Sequence, residues 1–145
     1  MFKNKKANFE YFLFDKFEAG IVLTGMEVKS IRIGGVDISN SYISISKNME
    51  CVIMGMNIKK LENAHKYDTK NYIPTQTRKL LLKKNEILKL FNKSKIDGFS
   101  IIPTMLYFNK RGFVKIEISL AKGKKLHDKR QTIKERDLNR QNRKI

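Results

Sequence analysis

A single cysteine, Cys51, in 145 residues excludes an internal disulfide and a cysteine-built zinc site. It stands in the apolar run CVIMGMNI and is expected to be buried and inert. Acids are scarce too, with 14 Asp and Glu against 31 Lys and Arg. No run approaches the roughly 18–20 apolar residues of a membrane-spanning helix. The N-terminus reads as no signal peptide: its apolar stretch, residues 9–14, is broken by Glu10 and followed by Asp15, Lys16 and Glu18. Neither phosphate-cradling pattern, G-x-x-x-x-G-K-[ST] or G-x-G-x-x-G, occurs. His65 and His127 lie in polar segments, and no cluster of His, Cys, Asp and Glu has the spacing of a metal site. His127-Asp128 reads better as a solvated pair than as acid and base. These absences point away from an enzyme, a cofactor, a metal, a membrane span or a small-molecule substrate, and towards a cytoplasmic binding protein.

What is present is positive charge. The formal net charge is +17. Residues 121–145, AKGKKLHDKRQTIKERDLNRQNRKI, hold ten Lys and Arg against three acids, a net +7, which leaves +10 on residues 1–120. With few apolar residues the tail cannot offset its own ordering entropy and is expected to be disordered in the free protein. The first 120 residues suffice for one core that buries roughly two-thirds of the chain's surface. Charge spread over both parts draws a protein to phosphate polymers.

The pattern of residues 1–120 is mainly β. Strands are expected at 8–14 and 20–23. Thr24-Gly25-Met26-Glu27 matches a capping box opening a helix over 25–33, which Gly34-Gly35 ends. Residues 42–46 alternate, Lys47-Asn48 turns, and 51–58 return as a strand. Residues 59–77 read as a long mobile loop. Residues 78–83 lead into a helix over about 85–95, with Ile87, Leu88 and Phe91 on its buried face and Asp97-Gly98 at its end. The clearest hairpin joins 100–108 to 113–120 through Asn109-Lys110-Arg111-Gly112. Val114, Ile116, Ile118 and Leu120 alternate with Lys115, Glu117 and Ser119, which implies one buried and one wet face. About six short strands with two or three flanking helices suggest a small antiparallel β-barrel of the OB type, a common holder of nucleic acid. Basic residues beside aromatics, Lys5-Lys6 with Phe9 and Tyr11 and Tyr107-Phe108 with Lys110-Arg111, fit phosphate contact and base stacking.

Several ordered words are more specific. Asn4-Lys5-Lys6-Ala7 precedes Glu10-Tyr11-Phe12, then FEAGIVLTG (17–25), Glu27-Val28-Lys29-Ser30, Ser41-Tyr42 and TRKLLL (77–82). Ala121-Lys122-Gly123-Lys124-Lys125, His127-Asp128-Lys129-Arg130 and IKERD (133–137) follow. From Asn4 to about Asp137 the chain closely resembles the SsrA-binding protein (SmpB) family. The resemblance implies an OB-like barrel that binds the tRNA-like domain of tmRNA (SsrA RNA) and brings it to bacterial ribosomes stalled on a truncated message. The tail would enter the empty message channel, the nascent peptide would be tagged, and elongation factor Tu would join the delivery complex. It implies tmRNA-facing positions at Asn4, Glu18 and Leu82; Lys5, Lys6 and Lys83 are expected to join them by their charge, and the protein is expected to be a monomer. It also implies ribosome-facing tail positions at Lys122, Gly123, Lys124, Lys125, His127, Asp128, Lys129 and Arg130, and the tail cations Lys134 and Arg136 are expected to join them. Phe9 stands where many members carry His, and Lys83 where an Asn often follows the leucines; Lys83 would meet phosphate instead.

Physical chemistry leaves alternatives at these positions. Glu18 would accept hydrogen bonds from base amino groups or a ribose 2′-OH, or form a structural salt bridge. Leu82 would cover a base face or join the core. His127 would stack on a ribosomal base. Thr132-Ile133-Lys134-Glu135 is a second capping-box match, so a helix from about Thr132 is expected to form once surrounding phosphate removes the repulsion among the tail's cations. A general single-strand-binding OB protein or a ribosomal protein is the competing reading.

Overall fold

The computed structural model describes residues 1–62, 70–96 and 98–124. The chain opens with a short strand β1 (Phe2–Lys3) and a one-and-a-half-turn helix α1 (Lys5–Glu10), then a long strand β2 (Tyr11–Ile21). The two strands expected over 8–14 and 20–23 are therefore one helix and one strand. The strand stays continuous because a β-bulge at Asp15, where the register shifts between Phe14 and Lys16, accommodates the charged residue. The helix forms because Ala7 has a place to bury, against Ile102 and Ala121.

Helix α2 (Gly25–Arg32) starts where the capping box places it. Glu27 N–H donates to Thr24 Oγ1 (3.2 Å) and Thr24 N–H donates back to Glu27 Oε1 (3.0 Å). Such a cap contributes about 0.5–2 kcal/mol. Gly34, at φ +87°, ends the helix in the left-handed region. Strand β3 (Val36–Asp37) follows, then the hairpin β4 (Tyr42–Ile45) and β5 (Cys51–Met54). Its turn is wider than Lys47-Asn48: Ser46 N–H donates to Glu50 O, and Met49 takes φ 61°. The return strand expected over 51–58 breaks at Gly55, whose φ is +79° and where a Cβ would lie 2.8 Å from Asn40 O. Beyond the break, β6 (Asn57–Ile58) pairs with β3 as a separate ribbon. Cys51 is buried, which pushes its thiol up to about 11.

Strand β7 (Arg78–Leu81) precedes α3 (Lys84–Ser94), and β8 (Phe99–Phe108) and β9 (Val114–Gly123) form the long hairpin. On α3 the buried residues are Ile87 and Leu90, whereas Leu88 faces solvent at 49% exposure. The helix rotates its Leu90 stripe inward, three residues after Ile87, the spacing of one helical face.

The strands close on themselves. Following hydrogen bonds round the ring gives β2, β9, β8, β4, β5, β7 and back to β2, all antiparallel. Six strands close a small barrel without leaving a free edge. Ile31, Ile53, Leu80, Leu106, Ile116 and Ile118 fill it. The expected alternation along β9 holds for Val114 to Leu120, with one departure: Ser119 is fully buried. At that end α1 covers the barrel's outer wall, and Ser119 Oγ donates to the Phe14 carbonyl.

A second departure concerns the 59–77 segment. Of its described residues, 59–62 and 70–77, Lys59 is bonded to Gly35 and Ser30, while Tyr72 and Pro74 are tied to the barrel by a buried Arg78. Nε donates to Glu27 Oε2 (2.5 Å), Nη1 to Met56 O (2.6 Å), and Nη2 to Tyr72 Oη (3.0 Å) and Pro74 O (2.8 Å). Tyr72 Oη in turn donates to Ile58 O (2.8 Å). The guanidinium fork thus holds α2, β5's exit and the loop together. Residues 63–69, including His65, lie outside the described residues, as do Asp97 and residues 125–145.

Candidate RNA-binding surface

On the outer wall formed by β7, β2, β9 and β8, strand alternation presents one contiguous set of side chains. Glu18 on β2 lies opposite Glu117 on β9. Facing carboxylates repel, and each is given a hydroxyl. Tyr107 Oη donates to Glu18 Oε2, and Thr104 Oγ1 donates to Glu117 Oε2 (2.5 Å). Burial and the Glu18 carboxylate push the Tyr107 hydroxyl up to about 12. The next register position joins Leu81, Gly20 and Lys115 across β7, β2 and β9. Leu81 and Val22 are 53% and 52% exposed, a short apolar strip bordered by exposed Lys79 and Lys83. At Gly20 a Cβ would rest 3.4 Å from Leu81 and 3.7 Å from Lys115 Nζ, so these two side chains converge over the glycine.

This surface accepts hydrogen bonds at Glu18, offers Leu81 and Val22 for apolar cover, and places Lys115, Lys79 and Lys83 for phosphate. An exposed carboxylate, apolar cover and flanking cations are a set suited to base and ribose edges within a phosphate backbone.

The residues singled out from sequence are placed unevenly. Glu18 and Lys83 are exposed on or beside this wall. Asn4 is buried: its N–H donates to Thr104 O (2.8 Å) and its Nδ2 to Pro103 O (2.8 Å), leaving Oδ1 without a partner. Asn4 and Lys5 share a depression of about 390 Å³ with Lys16, Thr104 and Glu117, which brings them to the edge of the Glu18 wall. Lys6 points elsewhere, its Nζ 3.3 Å from Asn40 Oδ1. Leu82 is half-buried against the core; Leu81 is the leucine that shares Glu18's face. Tyr107 and Phe108 are also split. Tyr107 joins the wall, while Phe108 packs on the core with the Arg32 guanidinium 4.9 Å from its ring centre. Lys122 and Gly123 are the last residues of β9, two and three positions beyond Leu120, and Lys124 follows them. Lys125, His127, Asp128, Lys129, Arg130, Lys134, Arg136 and the pattern at Thr132 lie outside the described residues. Sequence reasoning missed Leu81, Val22, Thr104, Lys115 and Glu117 as one surface. Period-two alternation from buried Leu80 and Ile116 was the available signal.

Comparison with known proteins meets this geometry. The family model for "SmpB protein" matches residues 1–145. The chain belongs to the SmpB family. The SsrA-binding protein of Mycoplasma mycoides is 53% identical over 142 residues, covering 95% of this chain and 90% of that protein. The SsrA-binding protein of Ehrlichia ruminantium strain Gardel is 48% identical over 143 residues, covering 99% and 94%. A chain in a solved structure described as "tmRNA-SmpB: a journey to the center of the bacterial ribosome" superposes with a TM-score of 0.70 at 37% identity, covering 86% of this chain and 84% of that one. Family membership fits the fold, since the superposed chain covers most of the barrel described above. Among the described residues no helix is long and apolar enough to cross a membrane, and no group of three or more His, Cys, Asp and Glu could hold a metal.

The Glu18–Tyr107 bond gives a direct check on this wall. A raised phenol pKa favours the protonated form in the folded state. Its contribution to stability is therefore complete below pH 10 and lost as pH climbs towards 12. In an ultraviolet titration one tyrosine should ionise near 12, and Glu18→Gln should bring it down by removing the negative neighbour. An unchanged titration in that variant would separate the two side chains.

Proposed function

We propose that this chain is the RNA-binding adaptor of trans-translation: it binds the tRNA-like domain of tmRNA and delivers it to stalled ribosomes. Its tail senses the empty message channel, after which the nascent peptide is tagged. The single observation that carries the reading is the wall itself, Glu18–Tyr107 with Leu81 and Gly20, on a barrel of this family. The proposal divides labour between a body, residues 1–120, that docks on tmRNA and a basic tail, residues 121–145, that meets ribosomal RNA and whose first residues, 121–123, complete β9. It assigns the tmRNA contacts to Asn4, Lys5, Glu18 and Lys83, with Leu81 taking the place given to Leu82. Its other elements are a monomer acting in the cytoplasm without catalysis of its own, and elongation factor Tu in the delivery complex.

The test is selectivity. At physiological salt the full chain should prefer a folded tRNA-like RNA over an unstructured strand of equal length, and affinity should fall with salt at a slope of roughly −0.7 to −0.9 per phosphate contacted. Leu81→Glu should weaken that binding at least about tenfold, because it sets a carboxylate against phosphate and removes apolar cover, while leaving the melting temperature nearly unchanged at this exposed site. Equal affinity for both RNAs would favour the general single-strand binder instead.

A further inference from the structure

The end of the barrel where β9 finishes carries a second aromatic and basic surface. Phe12 on β2, Lys122 on β9 and Phe99 on β8 form one cross-strand row. Phe14, two residues along, meets Phe99 with ring centres 5.5 Å apart at 57°. The lysines lie at ring faces: Lys122 Nζ is 5.7 Å from the Phe99 centre and Lys124 Nζ 5.1 Å from that of Phe12. Lys124 is held there, its N–H donating to Glu10 O (2.8 Å) and its Nζ to Asn8 O (3.1 Å). Asp15, the acid next to Phe14, is already paired with Lys93.

The packing does not use these rings fully. Phe12 and Phe14 are each 44% exposed, although Phe17 on the same strand packs on the core. Contiguous half-exposed aromatics are not explained by folding alone. A neutral apolar partner would leave the lysine ammoniums to be desolvated without compensation. Single-stranded nucleic acid satisfies both parts, since every base has a π-face and every linkage carries a negative charge. Glu18 lies four residues further along β2, roughly 13 Å at about 3.3 Å per residue, so the row is distinct from the wall already described.

We propose that Phe12, Phe14 and Phe99, with Lys122 and Lys124, form a second RNA-binding platform that stacks unpaired bases of a single strand beside the root of the tail. Ammonium groups now resting over the rings would move to the phosphates as bases replace them. The platform does not rest on the tmRNA reading, and the two fail separately.

The chain has no tryptophan, so Phe14→Trp places a lone fluorophore in the platform. In the full chain, an adenylate octamer should quench it saturably, whereas phosphatidylserine vesicles should leave it unchanged. In otherwise native protein, Phe12→Ser and Lys122→Gln should each weaken octamer binding about tenfold, while binding to the tRNA-like domain stays within about twofold. Absence of quenching by the octamer overturns the platform. Quenching by the vesicles alone assigns the surface to a membrane and also overturns it. An equal loss of octamer and tRNA-like-domain binding would merge the platform with the Glu18 wall and so reject it as a second site. Should Phe12→Ser fail to fold, the tryptophan titration and Lys122→Gln decide alone.

Discussion

Replacing Arg78 with methionine should destabilise the protein by about 3–5 kcal/mol, the cost of leaving a buried charge without its partner. Arg78 and Glu27 side chains are 1% and 2% exposed and meet at 2.5 Å. Methionine fills similar volume but supplies none of the four donated bonds to Glu27, Met56, Tyr72 and Pro74. Glu27 would keep its Oε1 bonds to the Thr24 amide and hydroxyl, with Oε2 left to Tyr72. The double variant Arg78→Met, Glu27→Gln should recover part of the loss, because glutamine still caps Thr24 through its carbonyl and carries no charge. Coupling of about 1–3 kcal/mol between the two sites is expected from a denaturant-unfolding cycle. A single-variant loss below about 1 kcal/mol would mean the pair is nearly neutral and that the loop is held by other contacts.

That buried pair marks where sequence reading ran short. The Thr24–Glu27 pattern was legible because capping is local: the donor and acceptor lie three residues apart. The second duty of Glu27, 51 residues from Arg78, was not. Arg78 reads as one more cation in a basic chain until topology brings β7 against α2's N-terminus. The β8–β9 hairpin was legible from alternation alone, and a small barrel followed from the number of short strands. The merged β2 was not, since a bulge at Asp15 lets one strand continue through charged residues that local patterning treats as a break. The wall was half legible. Glu18 came from the resemblance, but choosing Leu81 rather than Leu82 required knowing which of three adjacent leucines points outward. Strand parity settles that only once Leu80 is known to be in the core.

Ending the chain after Lys124 should leave binding to the tRNA-like domain within a few-fold of the full protein and abolish peptide tagging. The cut belongs there rather than after Lys122 because β9 runs to Gly123, which pairs with Tyr11, and Lys124 is bonded to the end of α1. Cutting earlier would damage the platform and α1's anchor, so a loss of binding could be blamed on the body. The removed segment, residues 125–145, takes eight basic and three acidic residues, a net +5. Its contribution to docking at the wall is then long-range attraction, which falls off over about 8 Å at physiological ionic strength. At low salt the truncated protein should therefore bind distinctly more weakly than the full chain, and the gap should narrow as salt rises. Contacts made directly by the tail would leave a deficit at every salt concentration. A folded truncation that loses tRNA-like-domain binding even at physiological salt would refute the division between a docking body and a sensing tail, because the wall alone would then be insufficient to hold the RNA.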